Sequence, residues 1–450
     1  MKQFMMQKGI FLTPDRLGKI LSEYQTGLLP IFQRRWRYYE GRQNIINKIV
    51  EDAARPCNII VCNFIKNIVD TYEGYAVGLP VSYSNPDEEA RFEILQDILD
   101  YNDVQDEDSE LFRNGLIFGR AAEICYIDED KKVRFRTLDP REVIPVYDNT
   151  LNGDLIYAVR FWVDDLVENL TDTYMVEVYD EKYITKYRSS MNFSSFEFIE
   201  KVPHYFGQVP VTFFSLNKEE EGIADTVFSL QDAYNSLISD SIDDWDAFCD
   251  AYLVLKGAQA DAEDLAAMKK YRTLILDQGD SAEYLTKATN TTEIEHLLET
   301  VESKIREMSA CPNFASETFG TSSGIAIKYR CMAMENKTAG ILNNFKKALQ
   351  RRIELIAAIN TLTDGEAMWR DVDIQFTRNI PVNQTEIATE INSLRGLVSD
   401  HTLLAQLPFI NDVEAELELI EEEKQSSRLD LYDFSPVKEE ENELLDNEMA

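Results

Sequence analysis

The segment VFSLQDAYNSLISDSIDDWDAFCD, residues 227–250, contains the most regular amphipathic pattern in this 450-residue chain. Apolar residues recur along it at intervals of three and four, as they do on one face of a helix. They are Val227, Leu230, Tyr234, Leu237, Ile238, Ile242, Trp245 and Phe248. The opposite face carries carboxylates, at Asp232, Asp240, Asp243, Asp246 and Asp250. The pattern predicts a helix over 224–250, about 40 Å long, with one face against protein and one acidic face.

The residues that follow predict two more long helices. An apolar stripe predicts a helix over 292–309, and residues 251–291 form a compact insertion before it. A proline, two glycines and a Ser/Thr cluster predict a loop over 312–324. The third helix is predicted over 325–362, with a kink at Gly340. Within the insertion the pattern predicts strands at 252–255, 273–276 and 282–285 and a short helix at 261–270.

The rest of the chain mixes helical and strand-like patterns. Helical periodicity covers 14–50, 63–78 and 88–118. The strand-like runs are 81–83, 122–127, 133–136, 155–162, 175–179 and 211–214. After the third long helix we expect a strand near 372–377, helices over 384–424 and a disordered acidic tail over 425–450. The predicted fold class is therefore α+β, mainly helical.

The composition limits the ways in which this chain can meet nucleic acid. Acidic residues outnumber basic ones by 81 to 45, which gives a formal net charge of −36. So acidic a surface repels a polyanion, which disfavours a protein that grips nucleic acid by neutralising phosphates. It is compatible with a protein past which DNA must slide. No run approaches the roughly 20 apolar residues of a membrane span, so we expect no membrane partner.

The sequence lacks the residue patterns of common catalytic and metal sites. Its three histidines and six cysteines are scattered, so we expect reduced thiols and no metal site. The stretch Gly320 to Gly324 lacks the lysine of a phosphate-binding loop. There is no nucleophile elbow and no dinucleotide fingerprint. We therefore expect neither enzymatic activity nor a cofactor.

Four groups of short segments carry a further signal. They are 38–41 (YYEG) with 58–63 (NIIVCN) and 69–81 (VDTYEGYAVGLPV); 114–123 (NGLIFGRAAE) with 139–147 (DPREVIPVY); 319–329 (FGTSSGIAIKY); and 374–383 (IQFTRNIPVN) with 392–399 (NSLRGLVS). Together they resemble the portal proteins of tailed bacteriophages. They occur in that family's order along nearly the whole chain, which makes the set more specific than any one segment. Thr321 departs from the family pattern, which has asparagine after the loop glycine.

The resemblance implies a dodecameric ring at one vertex of the capsid, through which double-stranded DNA is packaged and later ejected. The implied parts are a wing (1–223, with 363–383 returning to it), stem helices (224–250 and 292–309), a clip (251–291), a tunnel loop (312–324), the long helix (325–362) and a crown (384–424). The implied partners are the terminase large subunit, a head–tail adaptor, and the major capsid and scaffolding proteins. The implied location is the virion, after assembly in the host cytoplasm.

Three sets of residues are candidates for contact with DNA. The tunnel loop would approach it through Phe314, Ser316, Glu317, Thr318, Phe319, Gly320, Thr321, Ser322 and Ser323. The stem residues Asp240, Asp243, Asp246 and Asp250 either line the channel, where they would keep friction low, or face solvent outside the stem. The basic residues Lys346, Lys347, Arg351 and Arg352 either touch DNA near the crown or pair with acidic residues of a neighbouring subunit.

Two other functions remain compatible with the residues alone. An acidic multidomain scaffold or adaptor unrelated to phage assembly would be a monomer or a dimer. A DNA-processing enzyme with carboxylate-bound metals would need divalent ions and would lose activity when one acidic pair is replaced. A ring of subunits in solution would favour the portal over both.

Overall fold

The computed structural model describes residues 4–49, 56–85, 89–163, 173–249, 253–256, 281–284, 291–314, 324–359, 370–379 and 391–404, with a few single positions between 407 and 420. The chain divides into two compact units, Met1–Asn379 and Ile380–Ala450. The described part of the second unit includes a short helix, Asp400–Leu404, and a bridge between Arg395 and Val398.

The first half of the first unit contains a group of helices followed by a run of strands. The helices are α1 (Pro14–Gly27), α2 (Leu29–Tyr39), α3 (Phe64–Ala76), α4 (Glu89–Tyr101) and α5 (Val104–Phe118). The strands are β1 (Phe4–Met6), β2 (Ser82–Ser84), β3 (Arg120–Ile127), β4 (Val133–Leu138), β5 (Val143–Asp148), β6 (Leu155–Val163), β7 (Thr173–Tyr179), β8 (Tyr183–Ser190), β9 (Phe196–Pro203) and β10 (Val211–Ser215). The mixture confirms the α+β class.

The second half holds the long helices. They are α6 (Phe228–Cys249), α7 (Thr291–Ser309) and α8 (Gly324–Ile359). The strands β11 (Leu253–Lys256) and β12 (Ser281–Tyr284) lie between α6 and α7, and β13 (Asp373–Gln375) follows α8. Helix α8 runs unbroken through Gly340. The kink at that glycine stays a prediction.

One predicted helix is wrong as a single element. The pattern over 14–50 predicted a continuous helix, but α1 ends at Gly27 and α2 starts at Leu29. Pro30 lies in the first turn of α2, where its missing N–H costs no hydrogen bond, so a proline there starts a helix rather than continuing one. The chain then leaves the helix before Gly41, which has a φ of 83° that suits glycine.

Two sheets occupy the first half. The larger has the strand order β1-β5-β6-β7-β8-β9, antiparallel except for the parallel pair β1–β5. The smaller has the order β10-β3-β4. The strands β1, β5, β8 and β9 were not predicted. Pro145 interrupts the strand signal of β5, and β9 is almost wholly exposed, so it lacks the alternation of apolar and polar residues that marks a half-buried strand.

The long helices attach to this body in two ways. Helix α7 follows the antiparallel strand pair β11–β12 and packs back along α6, so the two helices form an antiparallel pair. Helix α8 packs against β10 and α3, where the buried ring of Phe345 lies 5.1 Å from that of Phe112 and 5.0 Å from that of Phe214. The predicted strand near 372–377 is observed as β13, which pairs with β2.

Gly119 joins α5 to β3 and determines how closely the loop before α6 can approach. Its φ is 75°, and a Cβ at this position would lie 2.2 Å from the backbone oxygen of Glu220. We expect Gly119→Ala to lower the free energy of unfolding by about 2 kcal/mol, because backbone strain and a backbone clash add. Gly153 has a φ of 64° with nothing within 4 Å of a Cβ, so Gly153→Ala introduces the backbone strain without the clash. Measured by urea unfolding, Gly153→Ala should lower the free energy of unfolding by less than Gly119→Ala. Equal losses would contradict the close approach.

Candidate functional site

An extended segment runs along helix α6 and is held to it by a ladder of polar contacts. We call residues 56–64 the strap. Four side chains of α6, one per turn, accept backbone N–H groups from alternate strap residues. The pairs are Gln231 with Phe64 (3.0 Å), Asn235 with Cys62 (3.0 Å), Ser239 with Ile60 (3.1 Å) and Asp243 with Asn58 (2.6 Å). Four helical residues rise about 6 Å and two extended residues about 6.6 Å, so the two spacings match.

The ladder changes which face of α6 is buried. Gln231, Asn235 and Ser239 are fully buried, whereas Trp245, predicted on the protein-facing side, is 67% exposed. Apolar periodicity missed this stripe because the strap offers N–H groups to α6, and buried N–H groups need polar acceptors. The i, i+4 spacing of small and amide side chains in α6 was the signal in the sequence.

Four of the five aspartates of α6 lie near the Asp243 end of the ladder, and the fifth, Asp232, accepts hydrogen bonds from Tyr38 and Asn44 at the other end. Lys48 Nζ lies 2.8 Å from Asp240 Oδ1 and 2.5 Å from Asp243 Oδ2. The Asn58 amide donates to Asp243 at 2.9 Å and to Asp246 at 2.7 Å. Asp240 and Asp246 stay exposed, and Asp243 is half-buried. Asp243 is therefore engaged inside the subunit, while Asp250 lies outside the described residues.

Asp243 makes the strap sensitive to acid. Partial burial opposes ionisation, but hydrogen bonds from Lys48 and Asn58 outweigh it and lower the pKa of this carboxyl. Because the folded pKa lies below the unfolded one, the stabilisation is present above the ordinary aspartate pKa and is lost as pH falls through the folded value. We expect strap amides to exchange faster at about pH 3 than at about pH 5 relative to intrinsic rates. In Asp243→Asn this extra pH dependence should be absent, and its persistence would contradict the assignment.

The junction before α6 is fixed by Arg35. Its guanidinium donates to both carboxylate oxygens of Asp225, at 3.1 and 3.0 Å from Nε, and to the backbone oxygen of Glu220 at 3.0 Å. Arg120 Nη1 lies 3.6 Å from the buried Glu220 carboxylate. Charge-assisted hydrogen bonds of this kind hold two elements in a defined geometry. They link α2 and the α5–β3 turn to the start of α6.

The basic residues of α8 differ from the prediction in one important case. Arg352 is fully buried, where it is unavailable to DNA and to a neighbouring subunit. Its Nε lies 2.9 Å from both carboxylate oxygens of Glu123, and its Nη1 lies 2.5 Å from Asp108. Burial raises the pKa of both carboxyls despite the opposing charge of Arg352. Arg352 therefore does not belong to the predicted exposed basic cluster, because a buried arginine needs carboxylate partners and has them here.

The other three basic residues lie at or near the surface. Lys346 pairs with Asp373 at 3.0 Å, and Arg351 pairs with Glu354 at 2.8 Å. Arg351 also donates to Gln208. Lys347 is exposed. Contact of these three residues with DNA or with a neighbour stays a prediction.

Most of the predicted tunnel loop lies outside the described residues. Phe314 is described and exposed, whereas Ser316, Glu317, Thr318, Phe319, Gly320, Thr321, Ser322 and Ser323 are not described. In the insertion, the predicted strands at 252–255 and 282–285 are observed as the antiparallel pair β11–β12. The predicted strand at 273–276, the helix at 261–270 and the acidic tail lie outside the described residues.

In the described part of the chain, no group of three or more His, Cys, Asp or Glu side chains is arranged to hold a metal ion. Five cysteines are described as free thiols, and three of them, Cys125, Cys311 and Cys331, are buried. Among the described helices, none is both long and apolar enough to cross a membrane.

The fold and the site together define a class of protein: an α+β body fastened by a polar ladder to two antiparallel helices, with a pair of antiparallel strands between those helices in sequence. The family model described as "Phage portal protein, SPP1 Gp6-like" matches residues 22–428. The chain therefore belongs to this phage portal protein family, as the sequence resemblance predicted.

Two curated relatives carry the name "Portal protein". The one from Clostridium phage phiCD119 is 25% identical over 417 residues, which cover 86% of this chain and 91% of the relative. The one from Bacillus phage SPP1 is 24% identical over 380 residues, which cover 80% of this chain and 74% of the relative.

Proposed function

We propose that this chain is the subunit of a dodecameric portal ring through which double-stranded DNA is packaged into a capsid and later ejected. Membership of the portal family across residues 22–428 carries the proposal. The tall helix pair fits it, because a closed ring of identical subunits needs two different patches on each subunit and long helices can supply them. The proposed location is the portal vertex of the virion, after assembly in the host cytoplasm.

The parts of the ring are assigned by family likeness and by the element order. Residues 1–223 would form the wing, to which 363–383 returns, and the β13–β2 pair supports that return. The helices α6 and α7 would form the stem, over 224–250 and 292–309. The remaining proposed parts are the clip (251–291), the tunnel loop (312–324), the long helix (325–362) and the crown (384–424).

The proposed partners follow from these parts. The clip would bind the terminase large subunit during packaging and a head–tail adaptor afterwards, and the outside of the ring would meet the major capsid and scaffolding proteins. The tunnel loop would approach DNA. An acidic channel would suit this role, because carboxylates repel the phosphate backbone and do not hold it in place.

The exposed carboxylates of α6 provide the test of an acidic channel. Asp243→Lys is unsuitable because it would also release the strap. Asp240 and Asp246 are exposed, so Asp240→Lys with Asp246→Lys changes the surface charge. The pair of substitutions removes the contacts with Lys48 and with the Asn58 side chain but keeps the rung between Asp243 and the Asn58 backbone. We expect severalfold slower DNA packaging in vitro from rings of normal size. Control rings carry Asp15→Lys and Glu23→Lys, on α1. Unchanged packaging by the α6 variant would place its carboxylates outside the channel.

A further inference from the structure

Helix α8 leaves one face uncovered along five turns. We call it the open face. Its residues recur at intervals of three and four and are all exposed: Tyr329, Met332, Ala333, Asn336, Gly340, Asn343 and Lys347. The intervening residues Met334, Thr338 and Phe345 are fully buried against the body. The open face is therefore a straight strip about 27 Å long on a helix whose other side is already packed.

The open face is apolar at one end, and the exposed charges on it and beside that end are positive. Tyr329 is 73% exposed and Met332 is 55% exposed. Lys328 and Arg330 are exposed beside them, and Lys347 stands at the other end. Helix α8 as a whole carries seven basic residues and two glutamates, in a chain whose net charge is −36. Large apolar side chains grouped on an exposed helix face mark a contact surface.

The helix pair α6 and α7 has the opposite charge. Helix α6 contains five aspartates and no basic residue. Helix α7 contains five glutamates against Lys304 and Arg306. Exposed carboxylates on the pair include Asp244, Glu295 and Glu299. The pair also has exposed apolar side chains, at Trp245, Leu297 and Met308. At about 100° per residue, Leu297 and Met308 lie on the side of α7 opposite Glu295 and Glu299. A single subunit thus carries two surfaces of opposite charge.

We propose that the open face of α8 docks on the helix pair of a second copy of this chain, as a head-to-tail contact. The proposal rests on the proposed ring. Complementary charge sets the register of such a contact, and buried apolar side chains supply its affinity. DNA fits the open face less well, because phosphate binding calls for a row of cations. Between Arg330 and Lys347 the open face presents only uncharged side chains.

Charge reversal with rescue tests the contact. Lys328→Glu with Lys347→Glu should leave the purified chain folded but shift it from rings to single subunits. Glu295→Lys with Glu299→Lys should do the same. The two sets combined should restore rings, because the charges are again opposite. Lys19→Glu with Lys218→Glu, elsewhere on the surface, is the matched control and should assemble like the wild type. Analytical ultracentrifugation gives the masses, and circular dichroism checks the fold.

A steric probe adds an independent result. Nothing lies within 4 Å of a Cβ at Gly340, so Gly340→Trp fits the subunit but obstructs a docked neighbour. Ring formation by Gly340→Trp and by both reversal sets would overturn the docking while the portal function stands. If these variants form rings of normal size that package less DNA than the wild type, the open face contacts DNA, and the proposed docking is also overturned. Absence of rings from the wild type would overturn both proposals.

Discussion

Arg352→Met is expected to lower the free energy of unfolding by about 4 kcal/mol, the largest effect of any single substitution considered. Breaking a buried ion pair by removing one partner costs about 3–5 kcal/mol, because a charge is left buried and uncompensated. Here two carboxylates, Asp108 and Glu123, lose their common partner. The measurement is equilibrium unfolding in urea.

The matched control is the next residue. Arg351→Met removes a partly exposed guanidinium that pairs with Glu354, so its loss should be about 1 kcal/mol or less. Arg352→Lys keeps the positive charge and should lower the free energy of unfolding by less than Arg352→Met does. A loss for Arg352→Met no larger than that of Arg351→Met would contradict the buried triad.

The same variant should be sensitive to pH in a defined direction. Burial already raises the pKa of Asp108 and Glu123 in the folded chain, and removing Arg352 raises both further. A group with a raised folded pKa stabilises the protein only while it is protonated, below its unfolded pKa, and that stability is lost as pH rises through the folded value. The deficit of Arg352→Met should therefore be smaller at about pH 5 than at about pH 8.

Asn235→Leu is expected to lower the free energy of unfolding by about 3 kcal/mol. Asn235 is fully buried, accepts from the Cys62 backbone and from Gln231, and donates to Gln43. Each buried polar group left without a partner costs about 1–3 kcal/mol. The hydrogen-exchange rate of the strap amides should also rise, because one of the two inner rungs of the ladder is lost.

The control for this variant lies one residue away. Ser236 is exposed on the same helix, so Ser236→Ala should change the unfolding free energy by less than about 0.5 kcal/mol and leave strap exchange unchanged. If Asn235→Leu loosens other parts of the body as much as the strap, the ladder is not what holds the strap.

The long helices and most of the strands were predictable because their signals are local. The spacing of Ile294, Leu297, Leu298 and Val301 predicts α7 without knowledge of its partner. The resemblance carried the family assignment because its short segments span nearly the whole chain. Pro30 shows the limit of local patterns. The apolar periodicity continues from α1 into α2, although Pro30, which lacks an N–H, marks the start of a new helix there.

The buried polar contacts were not predictable in the same way. The partners of Arg352 lie 229 and 244 residues away in sequence. The sequence places Arg352 close to Lys346 and Lys347, which predicts one exposed basic cluster. Only the packing of α8 on β3 and α5 shows that Arg352 is buried while the two lysines are not. Asp243 likewise reads as one of several surface carboxylates until Lys48 and the strap are placed beside it.

The mass of the purified full-length chain in solution, measured under assembly conditions by native mass spectrometry, tests the proposed ring most directly. We predict particles of roughly twelve chains, with a central opening in negative-stain images of the same sample. A species of one chain at every concentration and salt condition tried would contradict the portal assignment of function.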